Sequence, residues 1–380
     1  LTKKVVSTTA GADITAKGDG TETAPGMVDW ALAQRVAAGA LTLKPPPATY
    51  RSAALQSQFD ELTARAEFLV SEATGLHSAH GAARARVTDR TEWAVANVRS
   101  MERLVGPALA KIQESGLGKK TGRQALAAGR VMSGTQLGLM LAYMSTRVLG
   151  QYDLLIRDEE PEEQDMVYYV GPNVVAMEER HGFVASQFRL WLALHEVTHR
   201  MQFTAVPWLR DHFVNLVSEL LEPLHTDPSG LTDTLRRVMV EVRAGRNPLE
   251  ESGVIGMLAT PEQQLALSKI SGMMSLLEGH GDVTMDRAGA AEVPGAATFS
   301  RVLHERRTNA RGFTKVMSRL LGLEAKMRQY AEGEVFVESV EAAGGPELLA
   351  RVWRGPEWLP TLAEIRSPGE WVARAGGALA

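Results

Sequence analysis

The chain of 380 residues contains no cysteine, which excludes both disulfides and thiolate metal sites. A long apolar span is missing too. The longest uncharged run, Val131 to Thr146, is 16 residues and carries Ser, Gly, Thr and Gln, too short and too polar to cross a bilayer. No basic segment followed by an apolar one opens the sequence, so nothing points to export and a cytoplasmic location is expected. Excess charge is absent as well: a formal net charge of −4 and a pI near 6.2 give no electrostatic case for nucleic acid or an anionic membrane. What remains, 44% hydrophobic and 23% charged residues, is ordinary globular composition with ample material for a core.

Leu1 to Gly26 is rich in Thr, Gly, Ala and Lys and reads as a disordered leader. From residue 27 to 380 there is no internal repeat and no long linker, so this stretch is expected to form one unit. Helical periodicity dominates it. Met27 to Leu43 and Tyr50 to Thr74 read as amphipathic helices, and Asp89 as the cap of another that Gly106-Pro107 should break or kink. Gln124 to Leu149, apolar on nearly every side, reads as a central buried helix. The acidic run Asp158 to Asp165 is expected to be a solvated loop. Met166 to Val170 is the best strand candidate. Thr260-Pro261-Glu262-Gln263 spells a capping box with proline at the first helical position, starting a helix expected to reach Arg287.

Chemistry enters at Leu192-Ala193-Leu194-His195-Glu196-Val197-Thr198-His199. On a helix, His195 and His199 stand about one turn apart on one face and can converge on a single cation. Glu196 projects to the side, placed to handle the proton of a water rather than to ligate. Zn²⁺ suits imidazole and carboxylate donors, and a catalytic site leaves one position for water. The pattern therefore predicts a zinc centre with Glu196 as general base.

Two histidines need a third protein ligand. The continuation Arg200 to Ala205 lacks the glycine and third histidine that metzincins place there. The next candidate is Leu276-Leu277-Glu278-Gly279-His280-Gly281-Asp282. Glu278 and Asp282 are four apart and share a helix face, whereas His280 points about 200° away. Either Glu278 with Asp282, or His280 alone, can reach the metal side. Glu278 is the preferred ligand, with Asp282 accepting a hydrogen bond from a ligating histidine. The flanking glycines are read as letting this helix approach that of His195. Tyr168, Tyr169, His304, Arg306, Arg307 and Tyr330 are weaker candidates for stabilising an oxyanion.

The segments VGPNVVAMEE, FRLWLALHEVTHRMQF, MSLLEGHGDVTMD, LGLEAKMRQYAEGEVFVESV and the tail WRGPEWLPTLAEI with SPGEWVAR resemble a bacterial family of zincin-like hydrolases of unassigned substrate. Some members are labelled as associated with deazaflavin-coenzyme biosynthesis. The resemblance runs from about Val28 to Arg374. It implies a mainly α-helical, zincin-like fold, to which the strand candidate Met166 to Val170 adds a small strand element beside the HExxH helix. It further implies zinc held by His195, His199 and, by the glutamate-zincin pattern, Glu278, with Glu196 as base. The 78 residues between His199 and Glu278 exceed the usual glutamate-zincin spacing.

The expected activity is that of a zinc-dependent metallopeptidase. Its rivals are a non-peptide amide hydrolase of cofactor metabolism and a metal-stabilised scaffold without catalysis. A strand edge at Val167 to Val170 would suit an extended peptide, and a closed pocket a small amide.

Overall fold

Asp29 accepts a hydrogen bond from the Leu32 N–H and so starts α1, Trp30–Leu41, as its polar side chain at the N-cap requires. The computed structural model describes residues 26–114, 123–152, 165–221, 260–308 and 323–376; residues 1–25 of the predicted leader and all but the last residue of the acidic run lie outside the described residues. α2, Ser52–Thr74, ends at Gly75, whose φ of 69° suits a residue without Cβ and whose N–H returns to the Ser71 carbonyl. β1, Arg84–Thr88, follows, and then α3, Arg90–Glu114. Contrary to expectation, α3 runs through Pro107 without a break. The proline and Arg103, whose carbonyl loses its helical partner, both lie on the exposed side, where water can replace the bond.

α4, Arg123–Ser145, is not the central buried helix that its composition suggested. Val131, Met132 and Leu139 are exposed. Its glycines serve a close crossing instead: a Cβ on Gly138 would press on the carbonyl of Ala33 and the side chain of Val36 in α1. β2, Gly150–Tyr152, and β3, Met166–Val170, complete a three-stranded sheet of order β1-β3-β2. β3 pairs in parallel with β1, Val87 opposite Tyr169, and antiparallel with β2, Gln151 opposite Tyr168.

Gly171-Pro172 end the strand and begin α5, Gly171–His181, with proline in the first turn. α6, Ala185–Ala205, carries the HExxH residues and is buried along most of its length. α7, Leu209–Leu221, leads to α8, Pro261–Gly289, which opens with the capping box spelled in the sequence, Thr260 and Gln263. Removing the Thr260 hydroxyl would cost about 1 kcal/mol. α9, Ala296–Thr308, and α10, Leu323–Leu349, follow; α10 is kinked at Gly344 and Gly345, with Pro346 just beyond. Two short helices, α11 (Leu362–Arg366) and α12 (Pro368–Gly376), end the described chain.

Two apolar clusters fix the helices that matter for the site. The larger joins Phe59 of α2, Tyr169 of β3 and Phe188, Leu194, Val197 and Met201 of α6. The second packs Leu276 and Val283 of α8 against Phe336, Val340 and the fully buried Trp371. α6 is thereby held from one side and α8 from the other, and their remaining faces meet.

Candidate metal centre

Within α6 the four-residue spacing brings the two histidine rings together at 87°, with Nε2 of His195 and Nε2 of His199 3.2 Å apart. α8 crosses this face and adds Glu278, whose Oε2 lies 3.5 Å from His199 Nε2 and 3.9 Å from His195 Nε2. Among the described residues, these three form a group with ligand atoms close enough to hold one ion. A tetrahedral ion with bonds of about 2.0–2.2 Å separates its ligands by about 3.3–3.6 Å. The three observed edges bracket that range, and the two-imidazole, one-carboxylate donor set suits a borderline divalent cation. The residues fit a metal.

The helix faces meet closely because Gly281 stands between them. A Cβ there would lie 3.3 Å from His199 Cε1 and 3.8 Å from His195 Cε1. Gly279 does something different from what its position suggested. A Cβ on it would collide with the backbone of Gly333 and Glu334, so it admits α10 rather than α6. Ser275, Gly279 and Gly333 form a backbone-to-backbone crossing that seats α8 from behind.

Glu196 is 7% exposed and lies against β2. Its carboxylate accepts a hydrogen bond from the backbone of Tyr152. Gly150 makes room for it: a Cβ at that position would stand 2.7 Å from both Cγ and Oε1 of Glu196. Burial pushes the Glu196 carboxyl up to about 7, with Glu278 adding to the shift and His199 and Tyr152 opposing it. Burial would lower His199, but the hydrogen bond and charge of Glu278 outweigh it, and His199 is pushed up to about 9.

Supporting contacts complete the site. Asp282 Oδ1 lies 3.6 Å from His195 Nδ1. Gln202 Oε1 lies 3.0 Å from His199 Nδ1, while its Nε2 donates to the Leu277 carbonyl at 2.9 Å and meets His280 Nδ1 at 3.0 Å. His280 is buried against Trp353, and the ligand group is formed without it. On the opposite side of α6 the buried Arg200 guanidinium bonds Glu67, the Gly81 carbonyl and the Asp165 carbonyl. Asp165 in turn accepts from the Tyr152 hydroxyl at 2.9 Å, which ties β2 to the same anchor.

Neither Tyr168 nor Tyr169 is placed as an oxyanion donor. Tyr169 is fully buried, stacked on Phe59, with its hydroxyl engaged by Thr63 at 2.8 Å, and Tyr168 sits within the sheet under Arg86. The side chains of His304, Arg306, Arg307 and Tyr330 lie outside those described. The strand edge expected at Val167 to Val170 is not free, because β3 is the central strand; β2 is the strand that borders Glu196. Gln202 was legible in principle, since a residue three beyond a helical histidine shares its face. Nothing in the sequence signalled Gly150 or Tyr152, which reach Glu196 only through sheet pairing.

A helical chain bringing together two histidines and a glutamate that could hold one metal ion is a candidate metal-binding hydrolase by class. The chain belongs to the family of zincin-like metallopeptidases, whose pattern it matches over residues 28–372. It is similar to a solved structure from Chloroflexus aurantiacus, with 30% identity and a TM-score of 0.67, covering 92% of this chain and 99% of that one. That protein is described, provisionally as to activity, as a hydrolase with a novel fold. No curated protein matches the chain.

The description corrects the expected zincin-like fold. The described residues are mainly helical with a three-stranded sheet, and the Chloroflexus protein, which the chain resembles over 92% of its length, is described as having a novel fold. The physical reason is that the motif constrains very little. One helical turn and one carboxylate from a second helix satisfy it, so many surrounding folds can carry it.

Proposed function

We propose that the protein is a zinc-dependent hydrolase, and specifically a metallopeptidase, with His195, His199 and Glu278 as the ligands and Glu196 as the general base. One observation carries the reading: three converging donors stand beside a separate, buried carboxylate, Glu196, seated against Gly150 and Tyr152 of β2. A purely structural metal needs no such neighbour. The family description and the hydrolase description of the Chloroflexus protein support the same class.

When bound, zinc supplies Lewis acidity toward a carbonyl and lowers the pKa of a water to about 7. Glu196 takes one proton from the attacking water and returns it to the departing amine nitrogen as the C–N bond breaks. A buried carboxylate can do both, because burial raises its affinity for the proton it takes and then gives up. Tyr152 and the bare Gly150 hold that carboxylate in place. Asp282 and Gln202 orient the two histidines from behind. No described helix is long and apolar enough to cross a membrane.

Metal analysis of the purified protein, joined to cleavage of a peptide library, tests the proposal. About one zinc per chain is expected, together with amide hydrolysis that Glu196→Gln abolishes while zinc stays bound. Full hydrolysis in that variant would remove Glu196 from the role of base. Zinc at full stoichiometry in the His195→Ala, His199→Ala double variant would place the metal elsewhere.

A further inference from the structure

Gln202 is wholly buried and its side-chain amide is fully engaged. The Leu277 carbonyl is an acceptor only, so the group 2.9 Å from it has to be the Gln202 NH₂. The opposite flip would set two acceptor oxygens together and leave buried donors without partners. With the NH₂ fixed toward α8, Oε1 must face His199, 3.0 Å from Nδ1. An amide oxygen only accepts, so His199 Nδ1 must carry a hydrogen. His280 Nδ1, 3.0 Å from the same NH₂, must then be an acceptor, with its own hydrogen on Nε2.

We infer that Gln202 is the positioning residue that keeps the hydrogen of His199 on Nδ1 and so reserves Nε2 for the metal, reading that choice off a backbone carbonyl of the helix that supplies Glu278. The inference rests on the assignment of His199 and Glu278 as ligands. It adds a coupling between them. Leu277 is chain neighbour to Glu278, and Gln202 is one turn from His199. The same hydrogen-bonded chain therefore sets the tautomer on α6 and the separation of the two ligand-bearing helices. The other histidine is supported differently, by the half-buried carboxylate of Asp282.

The test is long-range ¹H–¹⁵N correlation on protein labelled at its nine histidines, with His199 assigned by its loss in His199→Gln. In the metal-free and in the zinc-loaded wild type, His199 should show Nδ1–H, slowly exchanging with solvent, and zinc should attach through Nε2. In Gln202→Leu, which conserves volume without polar atoms, that hydrogen should exchange freely and zinc affinity should fall about 10- to 100-fold. A His199 Nδ1 without hydrogen, zinc ligated through Nδ1, or undiminished affinity in Gln202→Leu would each overturn the inference. The wild-type spectrum decides even where Gln202→Leu does not fold. The zinc-loaded protein also separates the two readings: zinc held at His199 with no hydrogen on Nδ1 refutes the role of Gln202 and leaves the proposed function standing, whereas a protein that binds no zinc refutes the proposed function and with it the service of Gln202 to a metal.

Discussion

Exchanging single glycines on α8 for alanine distinguishes its two faces, because the two positions meet different kinds of neighbour. At Gly279 the added methyl meets the Gly333 backbone, which has no rotamer to yield; α8 and α10 must separate. Overpacking of this kind costs about 1–3 kcal/mol, sometimes more, and a rigid backbone partner puts it at the upper end. Helix propensity returns about 1 kcal/mol, leaving a net loss of about 2 kcal/mol. With an unfolding entropy of about 2.1 cal/mol/K per residue over 380 residues, that lowers Tm by roughly 2–3 °C. At Gly281 the nearest atoms are the rings of His199, at 3.3 Å, and His195, at 3.8 Å, which can give by a few tenths of an ångström. There the gain in propensity and the crowding nearly cancel, and Tm should stay within about 1–2 °C of wild type. Zinc binding should nevertheless weaken, since the yielding atoms belong to ligands. Thermal unfolding in chelator, so that metal linkage does not contribute, measures the first effect, and competitive zinc titration the second. A Gly279→Ala protein as stable as wild type would refute the close crossing of α8 and α10.

Three other outcomes are expected. Glu278→Ala should reduce zinc affinity by more than the about 10- to 100-fold expected of Asp282→Ala, because the first removes a ligand and the second a support; competition against a chromophoric chelator ranks them. Gly150→Ala pushes on the Glu196 carboxylate from 2.7 Å, so it should retain zinc yet hydrolyse on the order of 100-fold more slowly, as a displacement of about 1 Å does. Glu364 is raised by burial, but its hydrogen bonds to Arg374 and Thr361 outweigh this and hold it below the usual carboxylate range. The stability it adds is therefore present above the unfolded carboxylate value, about 4.3, and is lost as pH falls through the lower folded value. Arg374→Ala should destabilise at pH 7, and the difference should fade in acid on denaturation at a series of pH values.

Features written within a few residues were legible. The capping box at Thr260, the proline at the start of α8, the strand Met166–Val170 and the shared face of His195 and His199 each depend on neighbours in the chain. Helix geometry also put Glu278 and Asp282 on one face and His280 on another, and both carboxylates lie near the histidines, at 3.5 Å from His199 Nε2 and 3.6 Å from His195 Nδ1. Readings that needed the partner failed where composition was a poor proxy for it. Small residues in α4 reported a close crossing with α1 rather than burial on all sides, and Gly279 turned to α10 rather than α6. The zincin-like fold was implied by the family resemblance and is corrected by the solved relative's novel fold, because kinship in the metal-site residues does not dictate the architecture around them.

By itself, then, the sequence determined which residues can carry the chemistry: an i, i+4 pair of imidazoles, a glutamate beside the first, and an acidic face on a second helix. Tertiary structure decided which of them meet. Glu278 reaches the histidines across 78 residues only because two apolar clusters press α6 and α8 together and Gly281 lets them touch. β2, which no periodicity announced, becomes the seat of Glu196 through its pairing with β3, and Gln202 becomes a tether through a carbonyl on another helix. Helical spacing is set by bonds along the chain and can be read from it. Convergence is set by the packing of distant surfaces, whose free energy belongs to no single segment.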